Sequence, residues 1–455
     1  MSTNLSKENI PKLLLKYCLP SVLTMWIFSL YSIVDGFFIG KYLGSKGLAA
    51  VNIVMPYINL SFAMGIMIAI GGSTIIGIKL GEKDEESANK VFSISVQLFI
   101  LFGTIIGFIG IFFTEDVVRL LGANDTILND SKTYLFYLSF FIISYLLGYG
   151  LEIFIRVDGA PSFSLICIIV GALVNIILDY IFIGKLSLGI KGAAIATGIG
   201  QLSTVIPLIY YLKFKRKKLK FKLSKINLKL CNSILFNGSS EFLTEIATGI
   251  VIMAFNINIM KLIGEKGVSS FGIIGYISTL VTMTMIGFAQ GIQPIISYNF
   301  GALKFKRIKT VLNYSLVIIL ILGGIFYLLV NLFTHNIIKI FVSNNINLYN
   351  LTHEAIKLYS FTYLIMGLNI IVSAYFTAIE EALISCGLSI LRGLLFINVA
   401  LLVLPIFFNT KGIWLSAPIN ELITLLFSIT LLFTVGYKKI IPNNIKNEDK
   451  EYNIL

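Results

Sequence analysis

Two carboxylates sit where carboxylates are costly. Asp35 interrupts the apolar run LLLKYCLPSVLTMWIFSLYSIVDGFFIG (13–40), and Asp179 follows Asn175 by four residues in VGALVNIILDYIF. An ionised group inside hydrocarbon costs about 2.5–3.5 kcal/mol on insertion scales, so the default reading of such acids is functional. Residues four apart share a helix face, which puts Asn175 beside Asp179 and, in AAIATGIGQL, Thr197 beside Gln201. Counted along helices at about 1.5 Å per residue, Asp35, Asp179 and Thr197 all reach the outer half of their spans. Carboxylate, amide and hydroxyl oxygens together suit either a Na⁺ ion held by Asp35, Asn175, Asp179 and Thr197 or a proton relay. A hydrogen-bonded cluster that only locks the helices is the simpler alternative.

Other polar residues in apolar stretches extend the set. Glu152 lies one turn before Arg156, so it either pairs with that arginine or carries the relay inward, while Asp158 near Pro161 reads as a helix-end residue. In the second half, Glu241 and Glu245 share one face in NGSSEFLTEIATG, and Glu421 is a further buried acid. Phe242, Met253, Asn256, Tyr276, Met283, Met285 and Met366 offer adaptable apolar and cation-π surface for an organic cation, although side chains at helical spacing also serve as ordinary core. Gln290 and Gln293 beside Pro294 predict a bent helix whose carbonyls line a cavity, or equally a set of interhelical hydrogen bonds.

Enzyme chemistry finds few parts. Cys18, Cys167, Cys231 and Cys386 stand singly in apolar runs and read as packed thiols. His335 and His353 fall in one polar connection far from the acids. No nucleophile and base pair is visible, and no cofactor is expected beyond H⁺ or Na⁺ as coupling ion.

The elements that must position these residues follow from composition. With 56% hydrophobic and 13% charged residues in 455, and a mean hydropathy of +0.88, the chain reads as an all-α polytopic membrane protein whose first span is retained. Spans of about 20 residues fall near 13–40, 48–78, 91–113, 133–156, 161–184 and 190–212, then near 231–262, 268–300, 311–333, 355–379, 383–408 and 412–436. Twelve spans put both termini on one side, which carries 24 Lys and Arg against 11 opposite, so both termini are predicted to be cytoplasmic. Much of the net charge of +13 is this bias, and the run KFKRKKLKFKLSKINLK (213–229) reads as a linker touching anionic lipid headgroups rather than nucleic acid.

An internal repeat is also present. A shift of 220 lays LGSKGLAA (43–50) on IGEKGVSS (263–270), and a shift of 223 lays GIKGAAIA (189–196) on GIWLSAPI (412–419). The expected organisation is a six-helix lobe over 1–212, a basic linker over 213–230, a second six-helix lobe over 231–437 and a tail over 438–455. An offset of an even number of spans makes the lobes parallel, with a pseudo-two-fold axis along the membrane normal, an architecture that favours transport by alternating access. The acids are not repeated, because Asp35 falls on Phe255 and Thr197 on Asn420.

YSIVDGFFIG, FIRVDGAP, NIILDYIFI, GAAIATGIGQ and GIQPIISYNFGA, in that order, resemble the multidrug and toxic compound extrusion (MATE) family, most closely its MepA-like bacterial branch. The resemblance covers essentially the whole chain. It implies two six-helix lobes facing a central cleft in the inner membrane, and Asp35, Asn175, Asp179 and Thr197 as the cation-coupling cluster. It further implies export of amphipathic, often cationic, drugs by a monomer. Glu152 departs from the Asn that many relatives carry there and adds a titratable group. The alternatives are a flippase for lipid-linked oligosaccharide, which would want a strongly cationic cavity, and an intramembrane enzyme.

Overall fold

The computed structural model describes residues 5–216, 218–222, 225–342 and 345–440; the expected tail from 441 and linker positions 217, 223 and 224 lie outside the described residues. Seventeen α-helices account for nearly all of them, with no strand among the described residues. In order they are α1 (Ile10–Gly81), α2 (Glu85–Phe112), α3 (Thr114–Leu120), α4 (Leu128–Ser139), α5 (Ile142–Val157), α6 (Pro161–Asp179), α7 (Gly189–Tyr210), α8 (Leu228–Leu262) and α9 (Glu265–Gly301). There follow α10 (Phe305–Leu332), α11 (Thr334–Phe341), α12 (Ile346–Tyr359), α13 (Thr362–Ala378), α14 (Ala382–Ile390), α15 (Phe396–Phe408), α16 (Thr410–Leu431) and α17 (Tyr437–Ile440). Wider π-helical turns at Tyr180–Lys185, Tyr211–Lys215, Leu391–Leu395 and Leu432–Gly436 interrupt or extend four of them.

Among the described residues nine helical stretches are long and apolar enough to cross a membrane, and two bent pairs raise this to eleven: α4 with α5, turned by 53°, and α12 with α13, turned by 42°. Because α1 is broken at Gly44 into two arms, the total is the expected twelve. Large apolar side chains such as Leu402, Ile406 and Phe407 are exposed along these spans, as lipid-facing surfaces require. Two short helices, α3 and α11, were not expected; seven or eight residues are too few to carry a periodic signal.

The repeat is written in the backbone. Gly44 adopts φ 68°, ψ −164° and Gly264, 220 residues on, adopts φ 86°, ψ −164°. That region is open in practice only to glycine, so both copies need it to turn between consecutive spans. Lys83 and Leu303 share a positive φ at the same offset, 65° and 54°. Thr114 and Thr334 each open a short helix while their hydroxyls bond back to the preceding span, at Gly110 and Val330.

By packing, the chain forms two compact units, one of Leu15–Phe242 and one of Leu5–Leu14 with Leu243 onward, the division falling inside α8. Within the first, α1 and the start of α8 cross backbone to backbone. A Cβ on Gly71 would lie 1.9 Å from the Ile234 carbonyl oxygen, and one on Gly238 would lie 1.8 Å from that of Met67. In the second, Asn299 Nδ2 donates to the Leu5 carbonyl at 3.2 Å, and Lys304 Nζ donates to that of Ser6 at 2.8 Å, fastening the N-terminal segment.

Candidate functional site: a buried acid cluster in the first unit

Asp35 on α1, Asn175 and Asp179 on α6 and Thr197 on α7 converge. Asp179 is fully buried as the last residue of α6, where the helix widens into the turn Tyr180–Lys185; π-helical widening is frequent at functional sites. α6 starts on Pro161, whose missing N–H costs nothing at a helix N-terminus. It packs on α7 at glycines: a Cβ on Gly171 would sit 1.9 Å from Thr204 Oγ1, and one on Gly200 would sit 2.8 Å from Asn175 Cβ. This close approach sets Asn175 and Asp179 against the face carrying Thr197.

The two carboxyl groups face each other, with the Asn175 amide beside Asp179. Asp35 Oδ1, both Asp179 oxygens, both Asn175 side-chain polar atoms, Thr197 Oγ1 and Tyr31 Oη are buried without a well-formed hydrogen bond among the described residues. Buried polar groups are ordinarily satisfied, and each orphan costs about 1–3 kcal/mol. So many unspent oxygens in one place fit a hard monovalent cation or a proton. Among the described residues no three His, Cys, Asp or Glu side chains gather in a transition-metal arrangement.

Two members were missing from the expected set. Tyr31 and Tyr134 border Asp35, Asp179 and Thr197. Tyr31 precedes Asp35 by four residues, a spacing that could have disclosed it; Tyr134 reaches the cluster from α4, and no local pattern announces it. Gln201 lies one turn from Thr197 and lines a small open cleft with Phe28, Tyr31, Gly171, Gly200 and Thr204.

Glu152 takes the ion-pair option. It is fully buried and pairs with Arg156, which also donates from Nη1 to Ser21 Oγ at 2.7 Å. Asp158 is not a mere helix end: it accepts from Tyr211 Oη at 2.8 Å and from the backbone N–H groups of Lys218 and Leu219 at 2.8 and 3.0 Å. Both histidines lie on helices rather than in a connection, His335 bonded to Tyr349 Oη at 2.7 Å and His353 stacked on the same ring.

The second unit differs. Phe255, at the position of Asp35, is buried and stacked on Phe271 with ring centroids 4.8 Å apart. Its buried charge is instead Glu421, gripped by Arg392 Nε at 2.9 and 3.0 Å and by Asn369 Nδ2 at 2.7 Å. Arg392 rides on the turn Leu391–Leu395, and Ser428 Oγ donates to Asn369 Oδ1 at 3.0 Å. The residues expected to bind an organic cation occupy unlike environments. Glu241, Glu245 and Asn256 are half-buried on α8, Gln290 and Gln293 are buried on α9, and Met253 and Tyr276 are each 64% exposed. Tyr276 stacks on Phe341.

A family model described as MatE matches residues 20–181 and 242–404, two copies offset by 222 residues at their starts. Similar proteins include the probable multidrug resistance protein YoeA of Bacillus subtilis (strain 168), 26% identical over 96% of this chain and 95% of that protein. The multidrug export protein MepA of Staphylococcus saprophyticus is 27% identical over 94% of each chain. Among solved structures, an outward-facing multidrug resistance MATE transporter of the MOP superfamily superposes with a TM-score of 0.89 at 21% identity, covering 96% of this chain and 98% of that one.

Proposed function

Since this chain belongs to the MatE family of membrane transporters, we propose that it is an antiporter in which entry of H⁺ or Na⁺ at Asp35 and Asp179 drives export of amphipathic organic cations. The cluster of buried oxygens lacking well-formed hydrogen bonds, on three membrane-spanning helices, carries the reading. Loading those oxygens removes an unpaid desolvation cost, so the loaded and empty forms favour different states of the helices. An organic cation bound to the opposite state is expelled as the ion enters, and linkage makes the two effects reciprocal. Asn175 and Thr197 supply neutral ligands, and Tyr31 with Tyr134 closes the site. Glu152 stands outside the set, its charge balanced by Arg156.

For the outgoing cation, Glu241 and Glu245 remain the acidic candidates, and Met253, Asn256, Tyr276, Gln290 and Gln293 remain candidate contacts. The excess of Lys and Arg on one side supports an inner-membrane protein with both termini cytoplasmic, acting as a monomer. A lipid-linked oligosaccharide flippase needs uncommitted buried cations for a pyrophosphate. Here the buried Arg156 and the half-buried Arg392 are each held by a glutamate, which disfavours it.

Ethidium export from proteoliposomes, with pH and Na⁺ gradients imposed separately, tests the proposal. Wild-type protein is expected to respond to at least one gradient, and Asp179→Asn to neither while still inserting and folding. Undiminished gradient-driven export by the variant would sink the assignment.

A further inference from the structure

The basic segment after α7 is not a loose tether. Three side chains of the first unit, those of Asp158, Asn89 and Ser93, fasten its backbone. Asp158 accepts the N–H groups of Lys218 and Leu219; Leu219 is a fully buried peg. The Lys220 N–H donates to Asn89 Oδ1 at 2.5 Å and the Lys222 N–H to Ser93 Oγ at 3.0 Å. Asn89 and Ser93 are four apart and so line one face of α2, and the amides at 218, 219, 220 and 222 turn to the protein. With its N–H groups committed inward, the strap leaves the side chains of Lys220 and Lys222 exposed.

The charge continues back into the helix end. Lys213, Lys215 and Arg216 are exposed on and beside the turn Tyr211–Lys215, as are the rings of Tyr210, Phe214 and Phe221. Lys213 lies 5.1 Å from the Phe214 centroid and Lys215 lies 5.9 Å from that of Tyr210. None of these five cations meets a carboxylate among the described residues; Glu85 and Glu86 begin α2 one turn before Asn89 without pairing to them. At about 1.5 Å per residue, Lys215 stands within roughly 8 Å of the end of the α7 span, the depth of lipid headgroups. Exposed aromatic rings interleaved with lysines are what a membrane interface selects.

We propose that this strap is a built binding surface for anionic phospholipid headgroups. Fixing the backbone with Asp158, Asn89 and Ser93 removes the ordering cost that a free basic tail meets on binding, so the charges are preorganised rather than merely attracted. Nucleic acid or an acidic protein would have to reach the same lysines at headgroup depth, where the bilayer already lies. The inference requires only that α7 spans a membrane, and it survives if the coupling assignment fails.

The full-length protein, purified in detergent and offered equal phosphatidylglycerol and phosphatidylcholine, is examined by native mass spectrometry for retained lipid. Wild-type protein should retain phosphatidylglycerol preferentially, and Lys220→Gln with Lys222→Gln should weaken that preference by about twenty-five-fold, roughly fivefold per lysine. Asn89→Ala with Ser93→Ala keeps every charge but frees the strap, and should weaken it as well. Inorganic phosphate at equal concentration should not displace the lipid. Equal retention of the two lipids by wild type, full retention by the lysine variant, or displacement by phosphate overturns the proposal. Full retention by Asn89→Ala with Ser93→Ala overturns the preorganisation that defines the surface.

Discussion

Arg392 and Glu421 illustrate what a buried pair means for a single residue. Removing one partner strands a charge, a loss of about 3–5 kcal/mol, whereas replacing both with apolar residues is often neutral. Arg392→Met is therefore expected to lower the thermal midpoint in detergent sharply, and Arg392→Met with Glu421→Met to recover most of it. A double variant as unstable as the single one would show that the arginine acts through something other than this glutamate. Asp35, Asn175, Asp179 and Thr197 were legible because each is a polar letter in an apolar run, and helical spacing grouped those on one span. The Arg392–Glu421 pairing was not, since 29 residues and a tertiary contact separate the partners. Glu152 was legible as an acid, yet its environment decides between relay and ion pair, and only packing supplies Ser21 as the third member.

At the scale of elements, the turns at Gly44 and Gly264 make matched demands. Gly44→Ala and Gly264→Ala should each destabilise by about 1–3 kcal/mol, since an L residue gains nothing at that ψ. Leu303 is the converse case: it is 72% exposed with φ 54°, so Leu303→Gly loses little packing and relieves a left-handed backbone. It should gain up to about 1 kcal/mol, read as a raised thermal midpoint; a lowered midpoint would mean that the leucine packs against lipid. Gly238→Ala drives a methyl into the Met67 carbonyl and should cost about 1–3 kcal/mol by overpacking. The twelve spans among the described residues were readable because hydrocarbon imposes a length and a composition on each of them. The 53° and 42° bends and the π-helical turns were not, for they arise from packing between spans rather than from any one segment.

For the whole molecule, charge bias predicts sidedness, and reporter fusions at both termini should report the cytoplasm. Substrate choice is also a whole-chain property: Glu241→Gln and Glu245→Gln should reduce export of permanently cationic dyes more than that of neutral compounds, and equal losses would assign these acids to folding or gating. Phe255 in the place of Asp35 carries a last consequence. The scaffold is doubled, but among the described residues the acid cluster is single. Were that cluster to take one monovalent ion for each monovalent drug, the exchange would move no net charge. Voltage, worth about 2.3 kcal/mol per charge per 100 mV, then does no work on the cycle. Such a pump should be electrically silent: a potassium diffusion potential should leave its steady state unchanged, and a tenfold ion gradient should hold at most about a tenfold drug gradient.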